Sequence, residues 1–177
     1  SFPAIPQDPA YHDFADDRML LGIPNYWNVA SNAAFLAVGV FGLLKFSRGA
    51  IPGAGMPYLM FCLGIVLVAA GSAYYHLDPT PQSLVWDRLP MTLAFMAIFS
   101  MVVSDRVSEK LGVRLLWPLV LLGVASVTYW YWSEVQSRGD LRPYVIVQFL
   151  PMLIIPMLLA LYSGKRMLSA FLWATLF

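Results

Sequence analysis

Ser72 and His76 stand four residues apart in "GSAYYHLDPTPQSLVWDRLP" (residues 71–90), with Asp87 following on the far side of a Pro-bounded turn. Residues spaced i and i+4 share one face of a helix, so the hydroxyl and the imidazole stack one turn apart. The turn "LDPTP" carries its own start signal: Thr80 can cap a new helix and Pro81 can take its first position. Asp87 then sits roughly two turns into that helix. A turn this short makes the two helices antiparallel neighbours, so all three side chains can converge at one depth. A Ser-His-Asp hydrolase triad fits poorly, because Ser and His on one helix face leave the proton relay and the oxyanion donors undefined. A metal site suits the set better, with His76 as a nitrogen ligand and Asp87 and Ser72 orienting a bound water. One His cannot build such a site, and His12, in a polar N-terminal stretch, is a poor second ligand by position. The spacing alone is equally compatible with a boundary His and an Asp87–Arg88 pair reaching out to water.

The elements that must position these groups are legible from hydropathy. Of 177 residues, 59% are hydrophobic and only 12% charged, about half the charged fraction of a soluble domain. Uncharged runs long enough to cross roughly 30 Å of hydrocarbon recur along the chain. They predict an all-helical, multi-pass membrane bundle, with spans at about 28–46, 56–76, 81–104, 115–132 and 143–162. A sixth begins after Lys165 and Arg166, and Pro151 and Pro156 kink the fifth. The chain stops inside the apolar run "LSAFLWATLF", so a truncation within that sixth span is expected, with a seventh beyond it. Residues 1–27 read as a polar cap or interfacial segment, with Tyr26 and Trp27 at headgroup level, and residues 28–177 as the transmembrane domain.

Charge sets orientation and excludes one class of partner. A net charge of +1 without a basic tract leaves no footprint for nucleic acid. Lys45, Arg48, Arg106, Lys110, Arg114, Lys165 and Arg166 fall on one side of the predicted bundle, against Arg88, Arg138 and Arg142 on the other. The positive-inside rule puts the first set in the cytoplasm. The N-terminus, His76 and Asp87 then face the periplasm of a bacterial inner membrane, or an ER or Golgi lumen in a eukaryote. The lone Cys62 reads as apolar filler, since one cysteine cannot form an internal disulfide.

The Ser-x-x-x-His with an Asp fifteen residues after the Ser resembles the alkaline ceramidase family, within the CREST superfamily of seven-helix membrane hydrolases and receptors. "NYWNVASN" (residues 25–32) is similar to that family's opening of the first helix, and "FADDRMLLGIPN" and "GDLRPYVIVQFLP" are similar to its bacterial members. The resemblance implies zinc held by three His, one matching His76 and two from a His-x-x-x-His in the last helix, a motif this chain does not contain. It implies that Asp87 accepts a proton from water and that Ser72 stabilises the oxyanion of amide hydrolysis. It also implies a calcium site on this side, for which Asp13, Asp16, Asp17 and Asn25 are the candidate oxygen ligands. A solvated acidic cap is the preferred reading of those four.

The resulting expectation is a zinc-dependent amidohydrolase cleaving a long-chain lipid amide such as ceramide within the bilayer. The alternative is a receptor-like lipid binder of the same superfamily, its metal structural. A transporter is disfavoured, because the Gly-broken helix pairs typical of transporters are missing. Asn28 and Asn32 are expected to cap the first helix or bond across helices, Gln148 to serve a kinked backbone or line a cavity, and Arg88 to reach the headgroups or an acidic partner.

Overall fold

In the computed structural model, residues 3–49 and 55–163 are described, and they are helical nearly throughout. Five helices are long and apolar enough to cross a membrane: α1 (Tyr26–Ser47), α2 (Gly55–Leu77), α3 (Pro81–Arg106), α4 (Glu109–Val135) and α5 (Arg142–Leu161). The chain is a multi-pass membrane protein. Each helix falls on one of the first five expected spans, while the expected sixth lies outside the described residues. α4 begins six residues before the expected boundary. Ser108 caps it, its hydroxyl accepting from the Leu111 N–H, and Glu109 occupies the first turn, where a negative charge suits the helix dipole. Hydropathy marks where lipid begins, whereas the cap marks where the helix begins.

α3 is the core helix. It packs against α2, α4 and α5, and α1 packs on α2. Of the five spans α3 is the least hydropathic and the most buried, as expected of a helix whose polar groups face protein rather than lipid. Its start is the capping box foreshadowed by Thr80 and Pro81. The Ser83 N–H donates to the Thr80 hydroxyl (3.1 Å), and the Thr80 N–H donates back to the Ser83 hydroxyl (3.0 Å).

Two buried clusters mark the two ends of the bundle. One joins Tyr58, Cys62, Met101, Val102, Ile155 and Leu159; the other joins Tyr75, Leu84, Val127, Trp130 and Tyr144. Tyr58 and Tyr75 both lie on α2, so the clusters are about 25 Å apart. Cys62 fills space as expected: its thiol lies where a side chain on Gly42 of α1 would stand.

The N-terminal segment lies over the second cluster. The Leu141 N–H donates to the Ile5 carbonyl (2.8 Å), and the Gln7 N–H donates to Glu134 Oε1 (2.9 Å). A short 3-10 helix, Pro9–His12, capped by the Asp8 carboxylate, then carries the chain across the end of α2.

Candidate active site

Ser72 and Asp87 approach each other across the α2–α3 interface, near enough for the Ser72 hydroxyl to support the Asp87 carboxylate. Two features bring them together. The capping box fixes where α3 starts, and hence which way its second turn faces. At the same level the two backbones come into contact, since a Cβ on Gly71 would lie 2.0 Å from the Trp86 carbonyl oxygen. Asp87 is buried, and a carboxylate removed from water in this way is stable as an ion only with such partners.

His76 lies one turn beyond Ser72 on α2. Its Nδ1 is buried and has no hydrogen-bond partner among the described residues. The Phe14 ring stands 4.6 Å from the imidazole at an interplanar angle of 62°, and the Asn25 side-chain amide donates to the His76 carbonyl (2.8 Å). Buried ring nitrogens are ordinarily satisfied, so an orphaned Nδ1 fits a group that ligates a metal. Among the described residues no three His, Cys, Asp or Glu side chains gather closely enough to hold one. His76 is therefore a single fitting ligand, with Asp87 and Ser72 on the same two helices.

Asp13, Asp16 and Asp17, the candidate calcium ligands, are not part of any metal-holding group among the described residues. Asp16 is engaged by the Arg18 side chain (2.5 Å) and by the Trp27 N–H (3.0 Å), while Asn25 is turned to His76. Asn28 donates to the Asp16 carbonyl and Asn32 to the Asn28 carbonyl, so both serve the start of α1 and neither bridges to another spanning helix.

Arg88 corrects the sequence reading. It does not reach the headgroups: it is 4% exposed, with its guanidinium 4.1 Å from the Trp130 ring centroid, 4.7 Å from Tyr144 and 5.6 Å from Tyr11. Its Nη2 donates to Gln7 Oε1 (2.6 Å). A cation is tolerated there because three aromatic faces and a side-chain carbonyl replace water. The rule that intramembrane charges face protein applies to Arg88 as much as to Asp87 and points to this burial; the identity of the cage does not follow from it. His12, beside this cage, shares a 2.9 Å hydrogen bond with the Tyr75 hydroxyl. Burial, and after it the Arg88 charge, hold its imidazole below the ordinary histidine range.

An apolar groove of about 640 Å³ runs between α2, α3 and α4, past Leu67, Gly71, Tyr74, Trp86 and Leu93. Ser72, His76 and Asp87 do not line it.

The model of the ceramidase family matches residues 21–168, a stretch that contains Ser72, His76 and Asp87. The chain belongs to the ceramidase family. No curated protein and no solved structure matches it. Membership makes this family member a hydrolase of lipid amides by class, and the bilayer that its five apolar helices require is where such lipids reside. Phe14, which packs on His76, and Gln7, Tyr11 and His12, which contact Arg88 and Tyr75, lie ahead of the matched stretch.

Proposed function

We propose that this ceramidase-family chain is a zinc-dependent amidohydrolase that cleaves a long-chain lipid amide such as ceramide within the membrane. The observation that carries the reading is the juxtaposition of an ionisable carboxylate, a hydroxyl and an orphaned imidazole on two adjoining helices. His76 would hold the metal through Nδ1, together with the two His that the resemblance assigns to a later helix. When bound, zinc supplies Lewis acidity, which lowers the pKa of water and polarises the amide carbonyl. Asp87 is the base that takes the proton from the attacking water, and it can return that proton to the departing amine. The Ser72 hydroxyl supports the Asp87 carboxylate before reaction, and as Asp87 takes up the proton it turns its single O–H to the carbonyl oxygen, where negative charge grows. Phe14 covers the imidazole and limits the access of bulk water to it.

In this reading the site faces the periplasmic side of a bacterial inner membrane. Acyl chains would lie between helices, in contact with the bilayer. Asp13, Asp16 and Asp17 belong to a solvated cap in this reading, and calcium has no required part.

The deciding experiment combines zinc analysis of the purified full-length protein with turnover of a long-chain ceramide in detergent micelles. The expected result is one zinc per chain, lost in His76→Ala, and turnover that falls roughly 10²–10⁴-fold in Asp87→Asn. Stoichiometric zinc without turnover would favour the receptor-like lipid binder, and a wild-type protein without zinc would remove the metal from the mechanism.

A further inference from the structure

Arg88 closes a ring of contacts that ties the N-terminal segment to two helices. Its Nη2 donates to Gln7 Oε1 (2.6 Å), and the Gln7 N–H donates to Glu134 Oε1 (2.9 Å). Glu134 accepts also from the Trp130 indole N–H (3.1 Å), and the Trp130 ring lies 4.1 Å under the guanidinium. The ring thus runs from α3 through the N-terminal segment to α4 and back. Among the described residues Arg88 has no carboxylate within ion-pair distance, so Gln7 is its one side-chain acceptor.

The next residues of the same segment lead to the site. Tyr11 lies over the guanidinium and stacks on Tyr75 at 6.5 Å. His12 shares its hydrogen bond with the Tyr75 hydroxyl, and Phe14 packs on His76. The cover over His76 is therefore fastened seven residues upstream, at Gln7. Between the fastening and the cover there is one turn of 3-10 helix, which is too short to hold itself in place.

We propose that Arg88 is a positioning residue: by clamping Gln7 and Tyr11 it holds the N-terminal segment closed over His76 and so fixes the imidazole in its working orientation. The proposal rests on the reading of His76 as the functional imidazole. It adds a part that lies ahead of the stretch matched by the family model. Side chains that orient a metal-binding His commonly change metal affinity 10–100-fold when lost.

The two histidines and the single cysteine of the chain make the test direct. Full-length protein in detergent, stripped of metal with a chelator, is labelled at neutral pH with diethyl pyrocarbonate. The adduct on the His76 peptide is followed by mass spectrometry. Cys62, buried in the cluster at the other end of the bundle, is labelled in parallel with a maleimide and reports global loosening. Removing a hydrogen bond from a charged donor changes a local opening equilibrium roughly tenfold or more. Carbethoxylation of His76 should accelerate by about that factor in Arg88→Met and in Gln7→Ala, with Cys62 unchanged. Arg88→Lys, which keeps a cation over the rings, should restore part of the protection. Gln7→Ala removes the clamp without touching a spanning helix, so it decides the matter if Arg88→Met does not fold. Equal labelling of His76 in wild type and both variants, or a rise that Cys62 shares, would overturn the clamp. Zinc content and turnover of the wild type decide the catalytic reading separately, because the labelling is done on metal-free protein.

Discussion

The carbonyl oxygen of Trp86 on α3 lies where a side chain on Gly71 of α2 would begin, 2.0 Å from an ideal Cβ. Pro90, four residues after Trp86, has no N–H to offer that carbonyl. The oxygen is thus free of its usual helical partner and faces the Cα of a glycine, where a Cα–H···O contact can form. The residues next in sequence to this pair are Ser72 and Asp87. The closest approach of the two helices therefore sets the distance over which the candidate catalytic pair must meet.

Gly71→Ala is expected to push α3 away from α2 at this level. Overpacking of this kind costs about 1–3 kcal/mol, and a displacement near 1 Å at reacting groups costs about 10²-fold in rate. Gly112→Ala is the matched control. A Cβ there would meet the Ser104 hydroxyl at 2.0 Å and the Ser100 carbonyl at 2.6 Å, on α3 but far along it from Asp87. Both variants should lower the midpoint of thermal unfolding in detergent. Only Gly71→Ala should lose turnover per folded molecule by much more than its stability loss explains. Equal specific activities in the two would separate the Gly71–Trp86 contact from the chemistry.

The cap of α3 gives a smaller, local effect. Thr80→Ala removes the acceptor for the Ser83 N–H and should cost about 1 kcal/mol. Hydrogen exchange should show it first in the opening turn of α3, while the turns around Met101 keep their protection. A loss distributed evenly along α3 would mean that the cap does not act locally.

What could be read from the sequence followed from local rules. Thr80 and Pro81 announce a helix start because capping depends on a few consecutive residues. Ser72, His76 and Asp87 can be brought together on paper because i, i+4 spacing and a short turn leave little freedom. The surroundings of Arg88 were not legible, since Tyr11, Trp130 and Tyr144 come from three separate elements and nothing local links them. The early start of α4 escaped for a different reason. Glu109, Lys110 and Arg114 are charged yet helical, because a helix can extend beyond the lipid into water. Phe14 gave no signal at all: an aromatic residue in a polar segment becomes informative only once its neighbour is His76.

Asp140 predicts an acid limb of stability. Hydrogen bonds from the Arg142 guanidinium, at 2.6 and 2.7 Å, are the main cause that brings its carboxyl down from 3.8 to about 2. The Tyr129 hydroxyl and the Arg142 N–H add to this. Because the folded value is depressed, the contribution is complete above pH 4. It is lost as pH falls from there through about 2. Asp140→Asn should therefore lower the unfolding midpoint at neutral pH and flatten its fall between pH 4 and 2. Parallel curves for the two proteins in that window would show that the Arg142 contact does not contribute to stability.

Ser72 and Asp87 should be separable by kinetics. Ser72→Ala removes the hydroxyl that supports the carboxylate and that, in the proposed mechanism, turns to the developing oxyanion. The carboxylate itself stays, so the base is retained and some turnover should survive. Loss of a single oxyanion donor costs about 10²–10³ in kcat. KM should change little, because the interaction grows with charge that is absent from the ground state. Asp87→Asn should be at least as severe, since it removes the proton acceptor. The double variant should lose less than the product of the two single losses, because part of the hydroxyl's effect runs through the group already lost. Fully additive losses in that double variant would mean that Ser72 works independently of Asp87. Its hydroxyl would then act on the oxyanion alone, without supporting the carboxylate.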